Sequence, residues 1–222
     1  VKGVLRSTAE RILRTVLPGL VPPGPDFVAG LNGDARDAPV LEALFGSRNR
    51  AGAVTVPDVA ATVEPVPAEQ WAGYLAGAPS PPGWGAERTH VAIDRWTGGA
   101  ADQQLFTVQE TSGVRWPQLG VEIDLAFLAE ALPEEDQRRS AVVLLGLAVA
   151  ALVDGTAGLG GGTTRGLGEI EVTSLDVDAP SGFPDWSATP GADLAQRWWH
   201  WLAEVAPAGG WVAALPPRQE ES

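Results

Sequence analysis

The feature that most constrains the fold of this chain is an apolar run at 141–153, which only Gly146 interrupts. Pro133 and three acidic residues precede the run and Gly155 follows it, as expected for a helix with a proline start, acids at its positive end and a glycine stop. The run is shorter than the roughly 20 apolar residues of a membrane span. It therefore predicts a helix at Pro133–Asp154 that the rest of the chain buries on every side.

The composition restricts the chemistry available to the chain. The 222 residues are 45% hydrophobic, which is enough for one large domain or one domain with an appendage. The absence of cysteine excludes disulfides, thiolate catalysis and Cys-ligated metals. His90 and His200 lie too far apart in sequence to form a recognisable histidine metal motif. No secretion signal is recognisable, so we expect a cytoplasmic protein without a membrane partner.

The charge is unevenly distributed. The net charge of −13 argues against general affinity for nucleic acid. However, residues 1–60 contain seven Lys/Arg against six Asp/Glu, whereas the remainder contains eight against 22. Because screening acts over about 8–10 Å, a local anion site is compatible with an acidic chain.

Periodicity and turn residues predict an α+β fold. One additional strand before the first predicted helix would complete the β-α-β-β-α-β order of a ferredoxin-like domain. The elements expected besides the apolar helix are a helix at Val1–Leu17, a loop at Pro18–Pro39, a short apolar turn at Leu41–Phe45, a strand at Ala53–Val56, a long hairpin within Glu87–Glu110, strands at Leu119–Leu125 and Ile170–Leu175, and a tryptophan-rich helix at Ala192–Val205.

A glycine-rich loop, Gly158–Gly168, is the densest candidate binding element. Glycines allow backbone N–H groups to converge on an anion, and the hydroxyl groups and guanidinium in the loop add donors. The order of elements excludes a dinucleotide fingerprint, and the loop lacks the lysine of a phosphate-binding Walker loop. We expect a polyanion contact, with a flexible connector as the alternative. The predicted contact residues are Gly161, Gly162, Thr163, Thr164 and Arg165.

The turn of the predicted hairpin is a second candidate. Arg95 could contact a phosphate, Trp96 or Phe106 could lie against a base, and Thr97 completes the predicted contact set. The alternative is an ordinary hairpin turn with an Asp–Arg pair.

The start of the first helix is a third candidate. Lys2, Gly3 and Arg6 would suit a backbone phosphate, because a helix start offers free N–H groups. The alternative is a solvated basic face. No Ser/His/Asp or paired-acid constellation is visible, and the acids of the following loop (Asp26, Asp34 and Asp37) have no defined geometry.

Six short motifs, in this order, resemble the RAMP superfamily of CRISPR-associated proteins. The resemblance is greatest to the repeated backbone subunits of type III RNA-guided effector complexes, and it spans residues 1–176. The motifs are Lys2-Gly3-Val4-Leu5-Arg6, Leu44-Phe45-Gly46, Asp58, Ile93–Ala100, Glu110 and Gly160–Gly168.

The resemblance implies a fold like the RNA-recognition motif, with a projecting thumb hairpin at about 87–116. The first strand of that fold is expected to lie before Val1. The Trp-rich extension at 177–222 has no family counterpart.

The implied function is that of a guide-RNA-binding backbone subunit in antiviral defence, which positions the guide–target duplex. Its partners would be guide RNA, target RNA and other RAMP-type subunits. One alternative is a protein-interaction scaffold with little RNA affinity of its own. Another is an endoribonuclease whose catalytic Asp lies upstream of Val1. Mg²⁺ or another divalent ion would be needed only for that nuclease, and no catalytic residue is assigned.

The predicted loop contact gives a testable expectation for Arg165→Ala. Since the loop has backbone and hydroxyl donors but no base-reading Asn or Gln, it should contact the RNA backbone. The variant should weaken binding equally for all guide sequences, and the dependence of log K on log salt should become shallower by about 0.7. Fluorescence titrations at several salt concentrations measure this slope, and an unchanged slope would contradict the assignment.

Overall fold

The computed structural model describes residues 1–17, 39–62, 65–77, 85–111, 113–163, 166–188 and 193–215. Two compact units divide the chain: Val1–Val56 with Val121–Ser222, and Pro57–Gly120. The described helices are α1 (Lys2–Val16), α2 (Pro39–Phe45), α3 (Ala68–Leu75), α4 (Leu125–Ala131), α5 (Glu135–Val153) and α6 (Leu194–Val205); the strands are β1 (Val54–Thr55), β2 (Gly85–Ile93), β3 (Ala100–Thr111) and β4 (Glu122–Ile123).

Helix α5 is the centre of the first unit, which confirms the helix predicted from the apolar run. Ten of its 19 residues are buried. Leu144 and Ala148 belong to a core that includes Leu5 and Leu13 of α1. Other residues of α5 pack in a second core with the tryptophans of α6. Two separate cores thus pack against different faces of one helix, which is why residues 141–153 can be apolar throughout.

The Trp-rich helix is also confirmed, as α6, and its packing explains Gly146. The indole nitrogen of Trp198 donates to the carbonyl of Gly146 at 3.0 Å, and the rings of Trp198 and Trp201 are stacked with centroids 4.8 Å apart. A Cβ on Gly146 would come within 2.3 Å of the Leu202 side chain. The glycine in the apolar run therefore allows α6 to approach α5 closely.

Strands β1 and β4 form a short antiparallel pair, with Val54 opposite Ile123. The whole second unit lies between these strands in the sequence. Asp124 directly follows β4 and caps α4, since its carboxylate accepts a hydrogen bond from the backbone N–H of Phe127 at 2.9 Å. The predicted strands at 53–56 and 119–125 are therefore present, although each is only two residues long.

The second unit contains the predicted hairpin. Strands β2 and β3 are antiparallel, from the pair Gly85 and Thr111 at the base to Ile93 and Ala100 near the turn. Between the pairs Val91–Leu105 and Ile93–Ala100, β2 has one residue and β3 has four, so β3 bulges there.

The predicted strand at Ile170–Leu175 is wrong as a sheet strand. Its side chains alternate between partly buried and exposed over most of the segment, and Ile170, Val172 and Leu175 contact the cores. However, the segment has no ladder partner among the described residues. Alternating apolar and polar residues in the sequence show that one side of the segment is buried. A strand of a sheet also needs a neighbouring strand with free N–H and C=O groups.

Three further comparisons complete the fold. Leu41–Phe45 was predicted as a turn but is part of helix α2, while α3 and α4 were not predicted. The predicted loop at 18–39 falls, except for Pro39, outside the described residues. The fold is mixed α+β with two two-stranded sheets over the described residues. No helix in this part of the chain is long and apolar enough to cross a membrane.

The α5–α6 contact predicts opposite effects for two helical glycines. Gly146→Ala should lower the free energy of unfolding, because overpacking costs about 1–3 kcal/mol, against a gain in helix propensity of about 1 kcal/mol. Gly3→Ala in α1 is the matched control, because its Cβ would meet nothing within 4 Å. Urea denaturation of both variants measures the difference, and equal stabilities would contradict the packing role of Gly146.

Candidate nucleic-acid interface

The hairpin turn at 94–99 is closed by its own backbone. The N–H of Asp94 donates to the carbonyl of Gly99 at 2.9 Å, and the N–H of Gly98 donates to the carbonyl of Asp94 at 2.8 Å. Gly98 has φ +68°, a left-handed conformation that glycine adopts without strain.

Two side chains lock this turn further. One carboxylate oxygen of Asp94 accepts from the backbone N–H of Trp96 at 3.0 Å, and the other accepts from the hydroxyl of Thr97 at 2.9 Å. The same hydroxyl oxygen of Thr97 lies 3.3 Å from the N–H of Gly99, from which it accepts. These hydrogen bonds, the one to Trp96 first, lower the pKa of the Asp94 carboxyl below its ordinary value of 3.8.

The turn directs the side chains of Arg95 and Trp96 into solvent. The side chain of Trp96 is 96% exposed and Arg95 is also exposed. An exposed indole is costly to leave in water and provides a flat surface on which a base can stack. The partners found for Asp94 are the backbone and Thr97, so the alternative of an Asp–Arg pair is not what holds the turn.

One face of the hairpin contains a polar cluster that sequence reasoning did not find. The Arg88 guanidinium forms an ion pair with one carboxylate oxygen of Glu110, with 2.9 Å between Nε and Oε2. The other carboxylate oxygen of Glu110 lies 3.5 Å from His90 Nε2. The ring of His90 is stacked on Phe106, with centroids 5.6 Å apart. Phe106, predicted as an alternative base contact, therefore has an aromatic neighbour within the hairpin.

The opposite face of the hairpin is apolar towards the turn. Val91 and Ile93 alternate along β2 and so share a face, and Leu105 lies opposite Val91. All three are exposed, Leu105 at 70%. Further towards the base the face continues with Thr89 and Thr107, whose hydroxyl oxygens lie 3.3 Å apart.

A backbone hydrogen bond joins the two ends of the glycine-rich loop. The N–H of Leu159 donates to the carbonyl of Gly168 at 2.8 Å. Gly168 has φ +80°, and a Cβ there would lie 2.2 Å from the Leu159 carbonyl oxygen, so only glycine fits. Gly161, Gly162 and Thr163 are exposed at the other end of the loop. Thr164 and Arg165 lie outside the described residues.

Lys2 and Arg6 lie one turn apart on α1, and both make contacts within the protein. The Lys2 ammonium donates to the carbonyl of Val54 at 2.7 Å, and the Arg6 guanidinium donates to the carbonyl of Gly46 at 2.9 Å. Gly46 ends α2 with φ +85°, where a Cβ would clash with the backbone of Arg50. The first two sequence motifs are thus joined by a hydrogen bond. Gly3 is exposed and its missing Cβ faces open space.

The predicted contacts divide between the two units. Arg95, Trp96, Thr97 and the alternative base contact Phe106 belong to the inserted unit, and the predicted contacts at the start of α1 and in the glycine-rich loop belong to the first. The acids of the loop after α1 (Asp26, Asp34 and Asp37) lie outside the described residues. Within the described ranges no group of three or more His, Asp or Glu side chains is placed to hold a metal ion.

Comparison with known families identifies the segment that contains two of these elements. The RAMP superfamily model matches residues 79–171, from just before β2 to just beyond the glycine-rich loop. Residues 79–171 are thus similar to the RAMP superfamily. The predicted resemblance to that superfamily is confirmed over this RAMP segment, which includes both the hairpin turn and Gly158–Gly168. No curated protein matches the chain.

The lowered pKa of Asp94 predicts how the RAMP hairpin turn responds to acid. A carboxyl whose folded pKa lies below its unfolded value stabilises the turn fully above the unfolded pKa, and this contribution is lost as pH falls through the folded pKa. The Trp96 amide resonance should follow this titration, with a midpoint below 3.8.

Two-dimensional NMR spectra recorded against pH measure this midpoint. Asp94→Asn is the control, because an amide keeps an acceptor oxygen but does not titrate in this range, so the Trp96 resonance should then be flat. A midpoint at or above the ordinary aspartate value would contradict the assigned hydrogen bonds.

Proposed function

We propose that this chain is a guide-RNA-binding backbone subunit of a type III CRISPR effector complex, in which the hairpin is the thumb that positions the guide–target duplex. The observation that carries the proposal is the combination of the RAMP match with the turn it contains. Within that match, the turn exposes an almost fully accessible indole beside a guanidinium. A base can stack on Trp96 while Arg95 pairs with a neighbouring phosphate.

The glycine-rich loop supports a second contact, to the RNA backbone. Its exposed residues are Gly161, Gly162 and Thr163. Because the two glycines have no side chain, a phosphate can approach the backbone N–H groups closely. Thr164 and Arg165 are proposed to complete this contact. Lys2, Gly3 and Arg6 remain proposed phosphate contacts, although the two cations each also hold a backbone carbonyl.

We propose a ferredoxin-like core for residues 1–176, with 177–222 as an extension. The antiparallel pair β1–β4 and the segment at 170–175, whose side chains alternate between partly buried and exposed over most of its length, support this fold. A strand that the described residues do not supply would lie between β4 and that segment and would pair with both. The extension would add α6, which packs against α5 in the second core.

The proposed role is one of binding and positioning in the cytoplasm, with guide RNA, target RNA and further RAMP-type subunits as partners. No residue of the chain is assigned to catalysis. Neither Arg95 nor Trp96 has an ordinary pKa suited to proton transfer near neutral pH. An endoribonuclease activity would need a catalytic Asp upstream of Val1 and a divalent ion.

One observation favours the scaffold alternative. The apolar face of the hairpin exposes Val91, Ile93 and Leu105. Apolar side chains on a strand face suit a protein surface better than a phosphate backbone. In this alternative the hairpin would contact a neighbouring protein subunit, and RNA affinity would be small.

The exposure of Trp96 provides the test. Trp96→Ala should leave the melting temperature unchanged, because the ring is 96% exposed. It should weaken RNA binding by roughly 5- to 150-fold, which corresponds to about 1–3 kcal/mol for one stacked base. Fluorescence anisotropy with a labelled oligouridine at low salt measures the affinity. Trp116→Ala, at a 46% exposed indole in the same unit, is the control and should leave the affinity unchanged.

The ratio of absorbance at 260 and 280 nm of the purified chain adds an independent measurement. A raised ratio that falls in Trp96→Ala supports the RNA-binding proposal. The scaffold alternative is supported instead if no nucleic acid co-purifies and the two tryptophan variants bind the oligouridine alike.

A further inference from the structure

We infer that Asp94 and Thr97 are positioning residues, which hold the hairpin turn in its RNA-binding conformation before RNA arrives. This inference rests on the proposed function of the turn and assigns different roles to the residues within it. Arg95 and Trp96 contact the ligand, an unpaired RNA base and its phosphate. Thr97, predicted from sequence as an RNA contact, acts through the other residues.

The hydrogen bonds of Thr97 support this reassignment. Its hydroxyl donates its proton to Asp94 at 2.9 Å and accepts from the N–H of Gly99 at 3.3 Å. A hydroxyl has one proton to donate, so Thr97 cannot donate to a phosphate oxygen without breaking the bond to Asp94. Both carboxylate oxygens of Asp94 are likewise used inside the turn.

The turn needs such a lock because its sequence is otherwise flexible. Gly98 and Gly99 make up its second half and have large conformational freedom, so without side-chain hydrogen bonds many conformations would compete. A ligand that binds one conformation has its affinity reduced in proportion to the population of that conformation. Ordering the turn in advance therefore raises the affinity without adding a contact to RNA.

The lock is separate from the stability of the fold. Thr97 is exposed, and Trp96 belongs to neither hydrophobic core. Loosening the turn removes hydrogen bonds at the hairpin turn and no core contact. Its effect should be seen in local order and in RNA affinity, with no change in melting temperature.

The test compares Thr97→Val with Thr97→Ser in the full chain. Valine keeps the shape of threonine and removes the hydroxyl, whereas serine keeps the hydroxyl. Backbone ¹⁵N relaxation measures the order of residues 95–98, and anisotropy with a labelled oligouridine measures the dissociation constant. In Thr97→Val the order parameters should fall from about 0.85 towards about 0.6. If the binding conformation is then populated about one tenth of the time, the dissociation constant should rise about tenfold.

Thr97→Ser should restore both the order and the affinity of the parent chain. The inference is overturned if Thr97→Val loosens the turn without weakening binding, while Trp96→Ala still weakens it; the proposed function then stands alone. It is also overturned if Thr97→Val weakens binding while the turn stays ordered, because Thr97 would then contact RNA directly. If neither Trp96→Ala nor Thr97→Val changes the affinity, the proposed function itself is wrong and the inference falls with it.

Discussion

The close approach of α5 and α6 at Gly146 is the contact on which the packing of the first unit depends. One glycine in the apolar run 141–153 leaves room for Leu202 and exposes a carbonyl that Trp198 can reach. The helix can therefore bury its other faces against α1 and α2, because the face towards α6 is already covered. A helix with so few polar side chains would otherwise leave apolar surface in water.

The sequence predicted the elements whose signals are local. The apolar run, the proline and acids before it and the glycine after it were sufficient for α5, and a polar segment with Gly98-Gly99 near its middle was sufficient for the hairpin. Prediction from the sequence failed for elements whose structure depends on residues distant in the chain. Ile170–Leu175 has the burial pattern of a strand but no partner strand among the described residues. Asp124 was predicted as part of a strand, but its side chain caps the start of helix α4.

The sequence could propose a set of candidate residues, but it could not show how their side chains are bonded. A motif contains the residues that meet the ligand together with those that shape the backbone, and a single sequence does not separate them. In the turn, Arg95 and Trp96 face solvent while Asp94 and Thr97 bond to each other. In the same way, Arg6 and Gly46 were recognised in separate motifs, but only their 2.9 Å hydrogen bond shows that one motif supports the other. The partners of Glu110, Arg88 and His90, are evident only from the strand pairing that places all three on one face of the hairpin.

The position of the inserted unit has a consequence for how such chains can diversify. It leaves the first unit after Val56 and returns at Val121, and β1 and β4, the strands on either side, are paired with each other. The ends of the insertion are therefore held together whatever its length. Each doubling of a flexible connection adds only about 0.6 kcal/mol of closure entropy. Lengthening or shortening the hairpin should thus be tolerated by the core, and the reach of the hairpin can change while α1, α2 and α5 keep their contacts.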